Sequence, residues 1–205
     1  MERLSRKERE RERIRQEILQ AAEEEFSQSG FRDTSMSAIA ARVELSVGTL
    51  YNFFPSKDSL FITLMDTKAT EFFRQEEMDL RKIKCPLEKI RFVLRNTTKI
   101  LLDNLSLYRL FMDVKTEKNM PTIEKEHPLI TVKLEYHLQF LAGLFQEAIK
   151  AKLVRPIPPM LLAVSLESLT FGLIEKWDRV KNLVPPETII AELESVFLDG
   201  ILASK

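Results

Sequence analysis

Residues 34–60 (TSMSAIAARVELSVGTLYNFFPSKDSL) constrain the fold of this chain more than any other stretch. Thr34 and Ser35 are typical of a helix N-cap, and the apolar residues after them recur at i, i+3, i+4 and i+7, which predicts a helix of about two turns. Ser46 begins a second short helix with the same spacing, and Pro55 ends it. Two short helices joined by a tight turn are the outline of a helix-turn-helix, whose second helix enters the major groove of DNA.

The second of these helices has one predicted inward face and one predicted outward face. The inward face contains Val47, Leu50, Tyr51 and Phe54, and the outward face contains Gly48, Thr49, Asn52 and Phe53. Thr49 and Asn52 can hydrogen-bond to base edges, whereas the Tyr51 phenol, at the end of a packed ring, suits a phosphate. The alternative for Tyr51 is an ordinary core aromatic.

The run from Ser46 to Tyr51, followed by Phe54 and by residues 56–60, resembles the TetR family of transcriptional regulators. The resemblance covers residues 10–62 approximately and combines helix capping, apolar spacing and the Tyr and Lys positions. It implies a homodimeric repressor with an N-terminal helix-turn-helix and a helical, ligand-binding C-terminal domain.

Two positions depart from the family's pattern. Glu44 stands where the family usually has Gly in the turn, so the turn must form without glycine's tolerance of positive φ. Phe53 stands where His or Tyr is usual near the end of the recognition helix. It offers a thymine methyl group or a sugar an apolar contact in place of a hydrogen bond.

Residues of the helix-turn-helix and of the following helix start are expected to contact DNA. Lys57 would add its charge to the exposed backbone amides of a helix start, which predicts an anion site for a phosphate. The expected DNA-contacting residues are Thr34, Ser35, Ser37, Ser46, Val47, Gly48, Thr49, Tyr51, Asn52, Phe53 and Lys57.

The net charge of zero argues against a uniformly basic nucleic-acid binder and makes the local charge distribution important. Residues 1–15 hold seven Lys or Arg against four Glu, which predicts an arm that seeks phosphates; the alternative is a solvated helix end. Residues 16–45 hold six acidic residues against Arg32 and Arg42, so the acids are expected to face away from DNA.

The composition predicts an all-α protein, because Gly is scarce while Leu, Glu, Lys, Arg and Ala are abundant. The first helix is expected to run from Lys7 to Ser29, with Gly30 as its C-cap. The expected architecture is an N-terminal three-helix helix-turn-helix DNA-binding domain over residues 1–56. A larger C-terminal helical domain for effector binding and dimerisation would follow over residues 57–205.

The last two predicted helices, from about Met160 to Lys181 and from Pro186 to near Leu202, suit an oligomer interface. Small residues on the first of them, such as Ser168 and Gly172, let helices approach closely. Paired across a two-fold axis they would form a four-helix bundle, whereas the alternative is the core of a monomer. A module this small reads few base pairs, so a dimer on a palindromic operator is expected, with half-sites about 34 Å apart or a multiple of one turn.

Aromatic and flexible apolar residues in the C-terminal region are more abundant than a plain bundle needs, which predicts a cavity for a small lipophilic ligand. The expected lining residues are Phe73, Phe92, Tyr108, Phe111, Met112, Tyr136, His137, Phe140, Phe171 and Glu175. The alternative for each of them is a place in the ordinary core.

The chain contains no Gly-rich phosphate loop and no G-x-S-x-G, H-E-x-x-H or C-x-x-C motif, and its two histidines lack a metal-binding or catalytic spacing. No enzymatic activity, cofactor or metal is therefore expected. A single cysteine, no signal-peptide pattern and no apolar stretch of about 20 residues favour a cytoplasmic protein without a membrane partner. The predicted function is a repressor released from DNA by its effector. The alternative is a helical small-molecule-binding or protein-interaction module with a vestigial helix-turn-helix.

Overall fold

The structure is a computed structural model and describes residues 5–109, 112, 128–183 and 186–202. Every regular element among these residues is a helix, which confirms the predicted all-α fold. The helices are α1 (Arg6–Asp33), α2 (Met36–Arg42), α3 (Val47–Phe53), α4 (Lys57–Leu80), α5 (Pro86–Asp103), α6 (Pro128–Lys150), α7 (Pro159–Glu175), α8 (Trp177–Val180) and α9 (Pro186–Leu198). Residues 105–109 are helical as well.

Helix α1 has a side-chain cap at its start and a glycine break near its end. The Ser5 hydroxyl accepts a hydrogen bond from the Glu8 amide (3.2 Å), and the Glu8 carboxylate accepts one from the Ser5 amide (2.7 Å). This capping box satisfies two amides that lack partners within the helix. Gly30 is non-helical (φ 78°, ψ 167°), so the regular helix ends at Ser29 as predicted, and one further turn follows.

The chain divides into two compact units, and the division falls within α4. The first unit contains residues 1–69 and 106–127, and the second contains residues 70–105 and 128–205. The domain boundary expected from the sequence, between residues 56 and 57, coincides with the start of α4.

The first unit is built on three aromatic rings. Phe26 of α1, Phe31 after the glycine break and Phe61 of α4 contact one another, with ring centroids 5.2 to 5.6 Å apart. Helix α2 packs against α1 and α3, and the side chains of Ile39 and Leu50 are completely buried. The two short helices of the helix-turn-helix are therefore anchored to the core of the first unit.

The second unit is a helical bundle in which α5 packs against α6, α7 and α9, and α6 packs against α7. In its core Phe145 of α6 meets Phe197 of α9 edge-on, with ring centroids 6.1 Å apart. The buried carboxylate of Glu194 on α9 pairs with both Arg91 and Arg95 of α5. These pairs compensate the cost of burying the Glu194 charge.

Two helix ends near the C-terminus differ from the predicted ones. The helix expected from about Met160 to Lys181 is divided at Lys176, and α8 is a separate single turn. The last helix ends at Leu198, because Ile201 and Leu202 turn back to pair with residues 154 and 155. No helix within the described part of the chain is long and apolar enough to cross a membrane.

Candidate nucleic-acid interface and effector cavity

Helices α2 and α3 begin and turn as the sequence predicts. Ser35 caps α2 by accepting from the Ala38 amide (3.1 Å), and Ser46 caps α3 by accepting from the Thr49 amide (3.0 Å). Glu44 turns the chain between them with φ 54°, the left-handed conformation that its position required. Local hydrogen bonds at its N-terminus therefore fix where the recognition helix begins.

Only half of the predicted inward face of α3 is buried. Leu50 and Phe54 are 0% and 1% exposed, whereas Val47 and Tyr51 are 39% and 48% exposed. The prediction that all four pack inward was therefore wrong for Val47 and Tyr51. The physical reason is that a two-turn surface helix reaches the core through one narrow stripe, and residues at its edge stay in solvent. The alternative of a core aromatic at Tyr51 is excluded by this exposure.

The outward side of the helix-turn-helix presents most of the expected DNA-contacting residues. Ser35, Ser37, Ser46, Val47, Gly48, Tyr51 and Asn52 are exposed, and Thr49 and Phe53 are partly exposed. The Thr49 hydroxyl lies 2.7 Å from that of Ser46, so it takes part in the cap. Asn52 and the Tyr51 phenol are the polar groups that α3 itself presents to solvent.

Two expected DNA-contacting residues have structural roles instead. Thr34 is 2% exposed, and its hydroxyl donates to the Gly30 carbonyl at 2.7 Å. The Lys57 ammonium donates to the carbonyls of Phe31 (2.6 Å), Arg32 (3.0 Å) and Thr34 (2.8 Å). All three ammonium hydrogens are thereby used at the negative end of α1, where the glycine break leaves carbonyls without partners.

The basic start of α1 lies beside the end of the recognition helix, which the sequence did not predict. One open groove of about 620 Å³ is lined by three cations and one acid of α1 and by the outer side of α3: Arg6, Lys7, Glu10, Arg11, Ile14, Thr49, Asn52 and Phe53. The Arg11 guanidinium lies 5.4 Å from the centre of the Phe53 ring, and that of Arg15 lies 4.7 Å from the centre of the Phe54 ring. The spacing of Lys7, Arg11 and Arg15 at every fourth residue is the sequence signal that places them on one face.

Acidic residues of α1 are paired within the first unit. Glu24 and Glu25 each lie 2.7 Å from Arg42, and Glu23 lies 2.7 Å from Lys68. The hydrogen bond to Glu25 raises the pKa of Arg42 most strongly. These ion pairs partly neutralise the charges of the three carboxylates. That these acids face away from DNA stays a prediction.

The second unit contains a small, mostly apolar cavity of about 40 Å³ between α4, α5, α6 and α7. Its lining residues are Phe72, Phe73, Val93, Leu94, Thr97, Leu134, His137, Leu141, Leu166, Glu167, Thr170 and Phe171. Of the expected effector-binding residues, Phe73, His137 and Phe171 are among them. The volume is below that of ligand pockets, about 300–1,000 Å³, so a larger ligand requires the lining side chains to move.

The other expected effector-binding residues lie elsewhere. Phe92 and Phe140 pack partly buried against the core, Tyr136 is 61% exposed, and Glu175 is exposed beside Lys176. Tyr108 and Met112 belong to the stretch grouped with the first unit, and Phe111 lies outside the described residues. Aromatic content alone therefore did not identify the lining, because exposed and core aromatics look alike in a sequence.

A buried acid behind the cavity was missed by sequence reasoning. Glu76 of α4 is 1% exposed, and its Oε2 lies 3.7 Å from Nδ1 of His137, beyond hydrogen-bond range. Glu76 Oε1 has no hydrogen-bond partner among the described residues. Burial raises the pKa of Glu76 to about 7, partly offset by the side chains of Asn96 and Thr97. Burial lowers the pKa of His137 to about 4, so this imidazole is neutral near pH 7. The sequence does contain a signal for this buried acid, because Glu76 follows Phe72 by four residues and so shares an otherwise apolar helix face with it.

A helical fold with an anchored helix-turn-helix and a basic groove beside it defines a DNA-binding protein of the helix-turn-helix class. A sequence model of the family described as bacterial regulatory proteins, tetR family, matches residues 18–64. An HTH-type transcriptional regulator of Bacillus subtilis, YhgD, is 24% identical over 191 residues, which are 91% of this chain and 96% of that protein. In its helix-turn-helix segment the chain is therefore similar to the TetR family, and the relatives that it matches along most of its length are transcriptional regulators, which supports a DNA-binding regulator.

Solved structures share the fold over nearly the whole chain. FadR from Bacillus subtilis, in complex with stearoyl-CoA, superimposes with a TM-score of 0.75 at 19% identity and covers 91% of this chain and 98% of its own. A transcriptional regulator from Saccharomonospora viridis, in complex with choline, has a TM-score of 0.81 at 18% identity, with coverage of 94% and 100%. At these identities the likeness concerns the fold.

Proposed function

We propose that this regulator is a homodimeric repressor that binds a palindromic operator and is released by a small lipophilic or amphipathic ligand. The observation that carries the proposal is that α3 has one buried face and one exposed face. Leu50 and Phe54 anchor it, while Val47, Tyr51 and Asn52 face solvent next to a basic groove. Such a helix can enter the major groove without losing its support from the core.

Within the proposed complex, different side chains have different tasks. Asn52 reads a base edge through its amide, and Phe53 contacts a thymine methyl group or a sugar. The Tyr51 phenol and the cations of Arg6, Lys7 and Arg11 contact phosphates, which fixes the position of α3 without reading sequence. Lys57 is left out of this set, because its ammonium already donates to three backbone carbonyls.

Dimerisation is proposed through the outer faces of α7 and α9. Leu161 and Val164 on α7 are 56% and 40% exposed, and Val196 on α9 is 70% exposed. Ser168 and Gly172 continue the α7 stripe at helical spacing and permit close helix approach. Exposed apolar side chains along one helix face are typical of an oligomer interface.

Control by a small molecule is supported by the fold and by the second unit's cavity. Relatives of this fold have been solved with stearoyl-CoA and with choline, so the fold accommodates ligands of different chemistry. Ligand binding would shift the population towards a form with lower operator affinity. The relatives are transcriptional regulators, which supports a protein that acts by binding and not by catalysis.

Selection of duplexes from random DNA, followed by footprinting, tests the proposal directly. We expect a two-fold symmetric site protected on both halves. Asn52→Ala should change the selected consensus at one position in each half-site, with a loss of about 1–3 kcal/mol per lost base contact. Gln20→Ala, an exposed change on α1 away from the groove, is the matched control. Absence of any selected sequence, with only weak non-specific binding, would favour a small-molecule-binding or interaction module instead.

A further inference from the structure

The helix-turn-helix lies between two segments of the chain that the fold brings together. The entry segment, residues 31–34, follows the glycine break of α1 and leads into α2, and the exit segment, residues 54–56, leads from α3 into α4. Lys57, the first residue of α4, contacts residues of the entry segment that precede it by 23 to 26 positions. One side chain thus joins the two ends of the helix-turn-helix.

The Lys57 ammonium makes four contacts with the entry segment. It donates hydrogen bonds of 2.6 to 3.0 Å to the carbonyls of Phe31, Arg32 and Thr34, and it lies 4.6 Å from the centre of the Phe31 ring. Hydrogen bonds from an ionised donor are stronger than neutral ones, and an aromatic face adds a cation–π attraction. Because an ammonium group has three donors, these carbonyls leave no hydrogen for a DNA phosphate.

Both joined segments are short and lead directly into the helices of the helix-turn-helix. Thr34 is 2% exposed, and the residue after it caps α2. At the other end Phe54 is 1% exposed, and two residues, Pro55 and Ser56, separate it from Lys57. A displacement of either segment is therefore passed on to α2 or α3, and the contacts of Lys57 restrict both helices.

We propose that Lys57 is a positioning residue for operator binding: by joining the entry and exit segments it holds α2 and α3 in the orientation that the operator requires, without contacting DNA itself. The proposal rests on the proposed DNA-binding function and names a residue that sets its affinity. A protein whose binding-competent orientation is only partly populated binds more weakly in proportion to that fraction. Lys57 raises operator affinity by keeping this fraction high.

Lys57→Met removes the three donors and keeps an unbranched side chain. Its affinity for the selected operator should fall about 10- to 100-fold, as for the loss of a hydrogen bond to a charged group. Its affinity for non-operator DNA, and the slope of log affinity against log salt, should stay unchanged, because both depend on the number of phosphate contacts. A slope reduced by about two for a dimer, with both affinities lowered, would instead make Lys57 a phosphate ligand and overturn the proposal.

Lys68→Met is the matched control, because it removes the same charge from the same helix. Lys68 pairs with Glu23 of α1 at 2.7 Å and contributes nothing to the joining of the entry and exit segments. Its replacement should leave operator affinity unchanged, since a solvent-exposed ion pair contributes little. If Lys68→Met and Lys57→Met weaken operator binding equally, the effect comes from net charge and the proposal is wrong.

Lys57→Arg separates the charge of this residue from its hydrogen-bond geometry. A guanidinium keeps the positive charge and binds phosphates well, but its planar donors do not converge on three carbonyls as one ammonium nitrogen does. Operator affinity should therefore fall in Lys57→Arg as well, again with an unchanged salt slope. Operator affinity equal to that of the wild type would contradict the positioning role.

Amide hydrogen exchange of the free full-length chain tests the joining of the two segments without DNA. In Lys57→Met the amides of α2 and α3 should exchange about tenfold faster or more, whereas those of α6 and α7 in the second unit should keep their rates. Unchanged exchange in α2 and α3 would overturn the proposal. If the chain selects no operator, the proposed repressor fails, while the exchange rates still decide whether Lys57 holds the helix-turn-helix.

Discussion

Glu44 and Lys152 adopt positive φ values of 54° and 58°, which side chains with a Cβ rarely do. Both follow a helix end with the same pair of backbone hydrogen bonds. The Glu44 amide donates to Ala41 (3.2 Å) and the Leu45 amide donates to Ala40 (2.9 Å). This is the Schellman motif, in which Gly is the usual residue at the left-handed position.

Glu44→Gly should therefore increase the free energy of unfolding by about 0.5–1 kcal/mol, because it relieves the left-handed strain at a smaller entropic cost. Denaturant unfolding measures the change. Glu44→Ala is the matched control, since it removes the same side chain and keeps the strain, and it should not stabilise the protein. If Glu44→Gly and Glu44→Ala stabilise the protein equally, the gain comes from removing the Glu44 charge and not from relieving the strain.

Glu76 makes the stability of the protein depend on pH in an unusual direction. Burial raises its pKa from 4.5 to about 7, so the folded protein holds a proton that the unfolded chain has released. Stability from this group is present below pH 4.5 and is lost as the pH rises to 7, by about 3 kcal/mol in total. His137 acts oppositely, because its lowered pKa removes stability as the pH falls from 6.5 to 4.

Glu76→Gln does not lose stability in this way. The difference in unfolding free energy between the variant and the wild type should therefore shift in favour of the variant by up to about 3 kcal/mol between pH 4 and pH 8. Urea titrations at four pH values measure this shift. Glu71→Gln should show no such trend, and a constant difference for Glu76→Gln would contradict a raised pKa.

At the scale of elements, α1 combines a support function with a proposed DNA contact. Its middle carries Phe26 into the core, its end is closed by Lys57, and its first turns bring Arg11 next to Phe53 of α3. The capping box at Ser5 holds these first turns in helical form. The basic face of α1 is thus placed at the proposed DNA surface by secondary structure and not by a flexible tail.

Arg11→Ala should weaken operator binding to a similar degree for all sequences. It should also reduce the slope of log affinity against log salt by about two for a dimer, one phosphate contact per protomer. Arg13→Ala is the matched control on the same helix, because Arg13 is exposed and pairs with Glu10 and Glu17 instead of lining the groove. Equal slopes for the two variants would remove Arg11 from the proposed contact set.

At the scale of the whole molecule, the proposed repressor depends on two copies of the chain binding one operator. Exposed apolar residues occur on α6 as well as on α7, so the location of the dimer interface can be tested by comparison. Val132 and Tyr136 of α6 are 62% and 61% exposed. A charge placed within an interface disrupts it, whereas a charge on a solvated face has little effect.

Leu161→Glu should convert the dimer to a monomer in sedimentation experiments and lower operator affinity by about 100-fold or more, through loss of the linked second half-site. Val132→Glu, an equivalent change on α6, should leave both quantities unchanged. If Val132→Glu dissociates the dimer and Leu161→Glu does not, the interface lies on α6 and not on α7.

The features that the sequence determined by itself are local ones. Caps, helix ends and tight turns depend on residues no more than about five positions apart, so they can be predicted from neighbouring residues. Examples are the caps at Ser35 and Ser46, the end of α1 at Gly30 and the left-handed turn at Glu44. The helix-turn-helix and the all-α fold follow from them and from apolar spacing. For the same reason the family resemblance was recognisable in this segment.

Tertiary structure alone decided what covers each helix face. Lys57 meets carbonyls more than 20 residues earlier in the chain, Arg11 meets Phe53, and the Glu76 carboxyl is buried beside His137 of another helix. Helical spacing tells which residues share a face but not which neighbour packs there. The burial of a charge, the shift of its pKa and the lining of a cavity depend on that neighbour. The exposure of Tyr51 and the identity of the buried acid were for this reason visible only in the folded chain.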